Sequence, residues 1–100
     1  MEINKKLSDG GTVTLEVKGK LTASEEAAFV VEINEAIAQA SGLIFDFEKV
    51  PYISSSGLRA LVSAKKQLDA KGAPMSVINV SKDVKDVFEI TGLSDLFELQ

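Results

Sequence analysis

The run Leu43-Ile44-Phe45-Asp46-Phe47 constrains this chain most. It is short and almost wholly apolar, and Gly42 and Pro51 punctuate its two sides. Such a run suits a central β-strand covered on both faces, the environment of a parallel sheet. Parallel neighbours need crossover helices, so the flanking segments must supply them.

They read that way. Residues 2–8 hold a weak strand pattern around Ile3 and Leu7, and Asp9-Gly10-Gly11 is a turn signal. Residues 12–17 alternate, with Val13, Leu15 and Val17 on one face and Thr12, Thr14 and Glu16 on the other. The two segments make a hairpin that ends at Gly19. Thr22-Ala23-Ser24-Glu25 matches a capping box, in which hydroxyl and carboxylate satisfy each other's backbone donors. A helix follows with Phe29, Ile33, Ile37 and Ala40 on its stripe, and Ser41-Gly42 is expected to stop it through a left-handed residue. A second helix opens near Gly57, carries Leu58, Leu61, Val62 and Leu68, and ends at Gly72; Lys65 on its stripe lays its stem along the core edge. Residues 75–80 form another strand. Ser81 caps a third helix bearing Val84, Val87 and Phe88, and Gly92 ends it with Leu93 placed for the hydrophobic contact of a C-cap motif. Leu96, Phe97 and Leu99 suggest a short last strand or a docked tail. The expected fold is a single α/β domain over residues 1–100, with a mixed, mostly parallel sheet, an antiparallel N-terminal hairpin and about three α-helices.

Composition matters for what it excludes. The chain has 100 residues, no histidine and no cysteine. Disulfides and thiolate chemistry are therefore out, and the usual neutral-pH base and commonest metal ligand are missing. A formal net charge of −4 offers no electrostatic footprint for nucleic acid and disfavours an anionic membrane surface. The N-terminus lacks the apolar core of a signal peptide, and no apolar run approaches a membrane-spanning length. The expectation is a soluble cytoplasmic protein with no cofactor, no metal site and neither nucleic-acid nor membrane partners.

The serine turn Ser54-Ser55-Ser56-Gly57 lies between the central strand and the second helix. Serines are good helix caps, but three exceed what capping needs, so one can cap while another stays exposed. A phosphate on the exposed one would meet the positive end of the helix dipole, an interaction of roughly 0.3–1 kcal/mol. A serine hydrolase is a poor rival, since Ile53 and Gly57 flank the serines at the wrong spacing for a nucleophile elbow and no histidine base exists. Asp83, Asp86, Glu89 and Asp95 fall at helical spacing around the third helix, which reads as a solvated face and not a metal site.

The stretch Phe45-Asp46-Phe47-Glu48-Lys49-Val50-Pro51-Tyr52-Ile53-Ser54-Ser55-Ser56-Gly57-Leu58-Arg59 resembles the signature of the STAS domain family, shared by sulphate transporters and anti-sigma factor antagonists. It is most similar to the stand-alone bacterial antagonists, which typically read hydrophobic-Asp-Ser-Ser/Thr-Gly-Leu at this turn. Val87-Phe88-Glu89-Ile90-Thr91-Gly92-Leu93 looks like their second hallmark, Phe-x-x-x-Gly-Leu, and Gly19-Lys20-Leu21-Thr22 resembles their Gly-x-hydrophobic-Asp. The resemblance implies a protein-binding module with no catalytic residues. Unphosphorylated, it captures an anti-sigma factor that is also a serine kinase, and so frees a sigma factor. The kinase phosphorylates the serine after the motif's Asp, which aligns with Ser55, and a metal-dependent serine phosphatase resets it.

Ser54 and Thr22 stand where the family usually has Asp. The implied contact surface comprises Thr22, Asp46, Ser54, Ser56, Gly57, Leu58, Arg59 and Val62 around Ser55. Asp46 reads equally as a solvated or capping carboxylate, and Arg59 as a plain surface residue. A bulky acid at Gly57 or Arg59 is expected to weaken binding while secondary structure persists. The competing reading is a STAS module without the phosphoswitch, docked constantly on a larger complex such as a lipid-transport ABC permease.

Overall fold

Alternation along the strands decides which way this chain faces. Val13, Leu15, Val17, Leu43, Phe45, Phe47, Met75 and Val77 are all buried, while the intervening Thr12, Thr14, Glu16, Lys18, Ile44, Asp46, Ser76 and Ile78 are half-buried. The structure is a computed structural model that describes residues 1–99. Strands β1 (Glu2–Leu7) and β2 (Thr12–Lys18) form the expected hairpin. Then come a one-turn 3-10 helix (Ala23–Glu25), α1 (Glu26–Gln39), β3 (Gly42–Lys49), α2 (Ser55–Lys71), β4 (Met75–Ile78), α3 (Lys82–Ile90) and β5 (Glu98–Leu99). Gln100, the last residue of the expected domain, lies outside the described residues.

The five strands lie side by side in chain order, antiparallel at β1–β2 and parallel from β2 onward. Right-handed crossovers that step the same way put helices on one face, and the strands accordingly bury only alternate residues. This corrects the expectation for β3. The strand is central but covered on one face, and its apolar run includes Ile44, which sits half-buried on the open side. The covered face packs by aromatic edges: Phe29 meets Phe45 at 5.9 Å between ring centroids, and Phe45 meets Phe47 at 6.1 Å. Phe88 and Phe97 pair at 5.6 Å, which docks the tail and leads it into β5 alongside β4.

Two helix-end expectations need correction. No capping box forms at Thr22: its hydroxyl shares a 3.0 Å hydrogen bond with Ser24, and Glu25 lies 3.8 Å from the N-terminal ammonium. Gly42 does not end α1 either, since it is the first residue of β3 and has no positive φ. Ala40 leaves the helix in extended conformation, and the Lys71 ammonium donates to the carbonyls of Ile37 and, at 3.1 Å, Ala40. A cation from α2 thus satisfies orphan carbonyls at the end of α1, where the dipole favours it. The other caps follow the sequence. Gly72 and Gly92 take φ of 71° and 75°, and Leu93 N–H donates to the Phe88 carbonyl at 2.8 Å to complete a Schellman turn. Ser81 accepts from Val84 N–H at 3.3 Å.

Candidate functional site

Two loops leave the carboxyl ends of neighbouring strands β2 and β3, residues 19–22 and 50–54, and backbone hydrogen bonds tie them together. Gly19 N–H donates to Lys49 at 2.9 Å, Leu21 N–H to Tyr52 at 2.9 Å and Ser54 N–H to Leu21 at 2.8 Å. Leu21 and Ile53 form a parallel bridge and are both buried. The serine turn therefore starts from a fixed platform, and α2 begins at Ser55, two residues before the position expected from Gly57.

The three serines take three roles. Ser54 is the N-cap, extended at φ −86° and ψ 169°, and its Oγ accepts from Gly57 N–H at 3.2 Å. Ser56 is buried, and its Oγ accepts from an Arg59 Nη at 3.2 Å. Ser55 is exposed and its hydroxyl bonds to no described residue. It occupies the first helical position, beside amides that lack a helical acceptor and at the positive end of the dipole. Gly57 is buried because the helix start presses on the bridge: a Cβ there would lie 2.8 Å from Ile53 Cγ1. Arg59 is largely exposed and lies 3.8 Å from the Glu26 carboxylate at the start of α1.

Beside Ser55 runs a groove of about 530 Å³, with Leu58, Val62 and Leu93 as apolar wall and Arg59, Ser63 and Lys66 as polar rim. Among the described residues lining it there is no acid. Ser55, Leu58, Arg59 and Val62 are thus brought together. Thr22 sits in the adjoining loop, where its hydroxyl is engaged by Ser24. Asp46 is placed elsewhere. It points from the open face of the sheet, where its Oδ1 accepts from Asn79 Nδ2 and Glu48 N–H at 3.1 Å each, and it lines a separate hollow with Glu16, Lys18 and Glu48. Among the described residues no three acidic side chains converge as a metal site would require.

Residues 3–100 match the family profile described as STAS domain. The chain belongs to the STAS domain family. A curated relative, the anti-sigma-B factor antagonist of Listeria monocytogenes, is 34% identical over 76 residues, which are 76% of this chain and 63% of the relative. This STAS domain thus spans less than two thirds of that relative's length. Among solved structures, the anti-sigma factor antagonist SpoIIAA in its unphosphorylated form superposes with a TM-score of 0.85 at 22% identity, covering 99% of this chain and 88% of that one. The phosphorylated form of Bacillus SpoIIAA gives 0.77 at 21% identity, covering 99% and 91%. At these identities the likeness establishes the fold.

Leu93, Ser63 and Lys66 are groove residues of this STAS domain that sequence reasoning missed. Ser63 and Lys66 carried a signal, lying four and seven positions after Arg59 on one helical stripe. Leu93 carried none for the groove, because its approach to α2 is a tertiary contact. The cap itself is testable. Ser54→Ala removes the acceptor for Gly57 N–H and should cost about 1 kcal/mol, lowering the thermal midpoint by about 4–8 °C; Ser54→Asp, which caps as well as serine, should melt near the parent.

Proposed function

We propose that this domain is a phosphorylation-switched anti-sigma factor antagonist. Unmodified, it binds an anti-sigma factor serine kinase through the serine turn and the groove beside it, which releases a sigma factor. Phosphorylation of Ser55 ends that contact, and a serine phosphatase restores it. The domain works by binding and performs no catalytic step of its own. The observation that carries this reading is the division of labour among the serines. Ser54 is used as a cap and Ser56 is buried, which leaves Ser55 as the hydroxyl a kinase can reach.

The names of the relatives support it. The Listeria relative is an anti-sigma-B factor antagonist, and SpoIIAA is known in unphosphorylated and phosphorylated forms. Serine in place of the family's usual Asp at position 54 preserves the cap, since both side chains accept from the same backbone donors. It also removes a negative charge next to the acceptor hydroxyl.

The test is incubation with an anti-sigma factor kinase and ATP, followed by peptide mass mapping. A single phosphate on Ser55 is expected. Phosphate on Ser54 or Ser56 would overturn the assignment, and a stable complex with no phosphate on any of the three would favour constant docking instead.

A further inference from the structure

We propose that Arg59 is the internal receiver of a phosphate on Ser55, an inference that rests on Ser55 as the phosphoacceptor. The two residues are four apart on α2 and line the same groove. Four residues advance a helix by about 6 Å and return to the same face, within reach of a guanidinium and a phosphorylated serine. Lys66, eleven residues on, stands about 16 Å along the axis and marks the far end of the groove.

Arg59 is weakly held in the unmodified domain. Its ion pair with Glu26 spans 3.8 Å between side chains that are 76% and 38% exposed, a geometry that contributes little. Its other partner is the neutral Ser56 hydroxyl. A phosphate carries about −1.5 to −2 charges near neutral pH and accepts the guanidinium fork through charge-assisted bonds, so it outcompetes both. Of the acids on the segment packed against the start of α2, Glu25 faces the N-terminal ammonium, and Glu26 is the one that competes for Arg59. Phosphorylation therefore moves Arg59 from Glu26 to the phosphate and sets a hydrated ion pair at the mouth of the groove. Release of the partner then has two causes, the added charge and the relocated arginine.

The experiment installs phosphoserine at position 55 by codon reassignment and titrates its second ionisation by ³¹P NMR. Replacing Arg59 with Gln should raise that pKa by about half a unit, roughly a threefold change in proton affinity. Arg59→Lys should recover part of the shift. Glu26→Gln, which removes the competitor, should move the pKa the other way. A difference under about 0.1 unit between parent and Arg59→Gln, with circular dichroism showing both folded, would overturn the proposal. Because no kinase is used, the two readings fail separately. A flat titration with partner binding still lost on phosphorylation removes the role of Arg59 alone, while a kinase that leaves Ser55 unmarked removes the switch and not the Arg59 contact.

Discussion

Ser55→Asp should stay folded and lose its partner, while Ser55→Ala should stay folded and keep it. Position 55 is the first residue of α2, exposed and at the positive end of the helix. A carboxylate there is welcomed by the dipole by roughly 0.3–1 kcal/mol, so the Asp variant should melt at the parent temperature or up to about 8 °C above it. In the complex the same charge must shed water at a packed contact where a hydroxyl fitted. Burying that charge costs several kcal/mol, and Arg59 beside it does not cancel the cost, since an ion pair taken out of water can lose more hydration than it gains. Since about 1.4 kcal/mol is a tenfold change in affinity, binding should fall a hundredfold or more. Alanine adds no charge and no bulk, so its affinity should stay within a few-fold. Thermal melts and a binding titration of both variants decide the matter. Equal affinities would sink the switch, and a melted Asp variant would make the turn a structural element.

A larger effect on the fold itself is expected at Gly57. Gly57→Glu should lower stability by about 4 kcal/mol, combining overpacking with burial of an unpaired charge. For a domain of this size that is a fall in melting temperature of about 15–30 °C. The cause is local. A Cβ at 57 meets Ile53 Cγ1 at 2.8 Å and Leu21 Cβ at 3.4 Å, and those two residues are the buried bridge between the loops. Ile53 Cγ1 is held by its own backbone and cannot swing aside as the end of a long side chain would. In Gly57→Ala the helix propensity of alanine, about 1 kcal/mol, offsets part of the clash, leaving a loss of about 1 kcal/mol. A Glu variant that melts within about 5 °C of the parent would show that α2 does not press on the bridge. An acid at Gly57 therefore carries a stability cost of its own beside any effect on binding. Arg59→Glu, at an exposed position, is the variant that probes the contact without disturbing the core.

The residues explain what could be read before the structure and what could not. Val13, Leu15 and Val17 announce a half-buried strand because alternation is a property of the strand itself. Ser81, Gly72 and Gly92 mark helix ends because their partners lie within a few residues. Ile44 reads as doubly covered because sequence cannot tell an apolar residue on the open face from one in a sandwich. The cap at the end of α1 is not legible in the sequence because its carbonyls are met by Lys71, 31 to 34 positions away. Thr22 had the pattern of a capping box, but a 3-10 turn intervened and Glu25 faced the N-terminal ammonium. At the site, sequence indicated that one serine would cap and another stay exposed. It could not show that Leu93 from beyond α3 would wall the groove beside Ser55.

The three backbone bonds that join residues 19–22 to residues 49–54 bear on how fast this domain can change hands. A surface held by its own main chain has little backbone left to order, so association through it should cost mainly side-chain freedom. Encounter then runs at ordinary protein–protein rates, about 10⁵–10⁷ M⁻¹s⁻¹, with no folding step to wait for. Under the proposed switch, the lifetime of each complex would be left to the dissociation rate, the quantity that a charged group at residue 55 would reset.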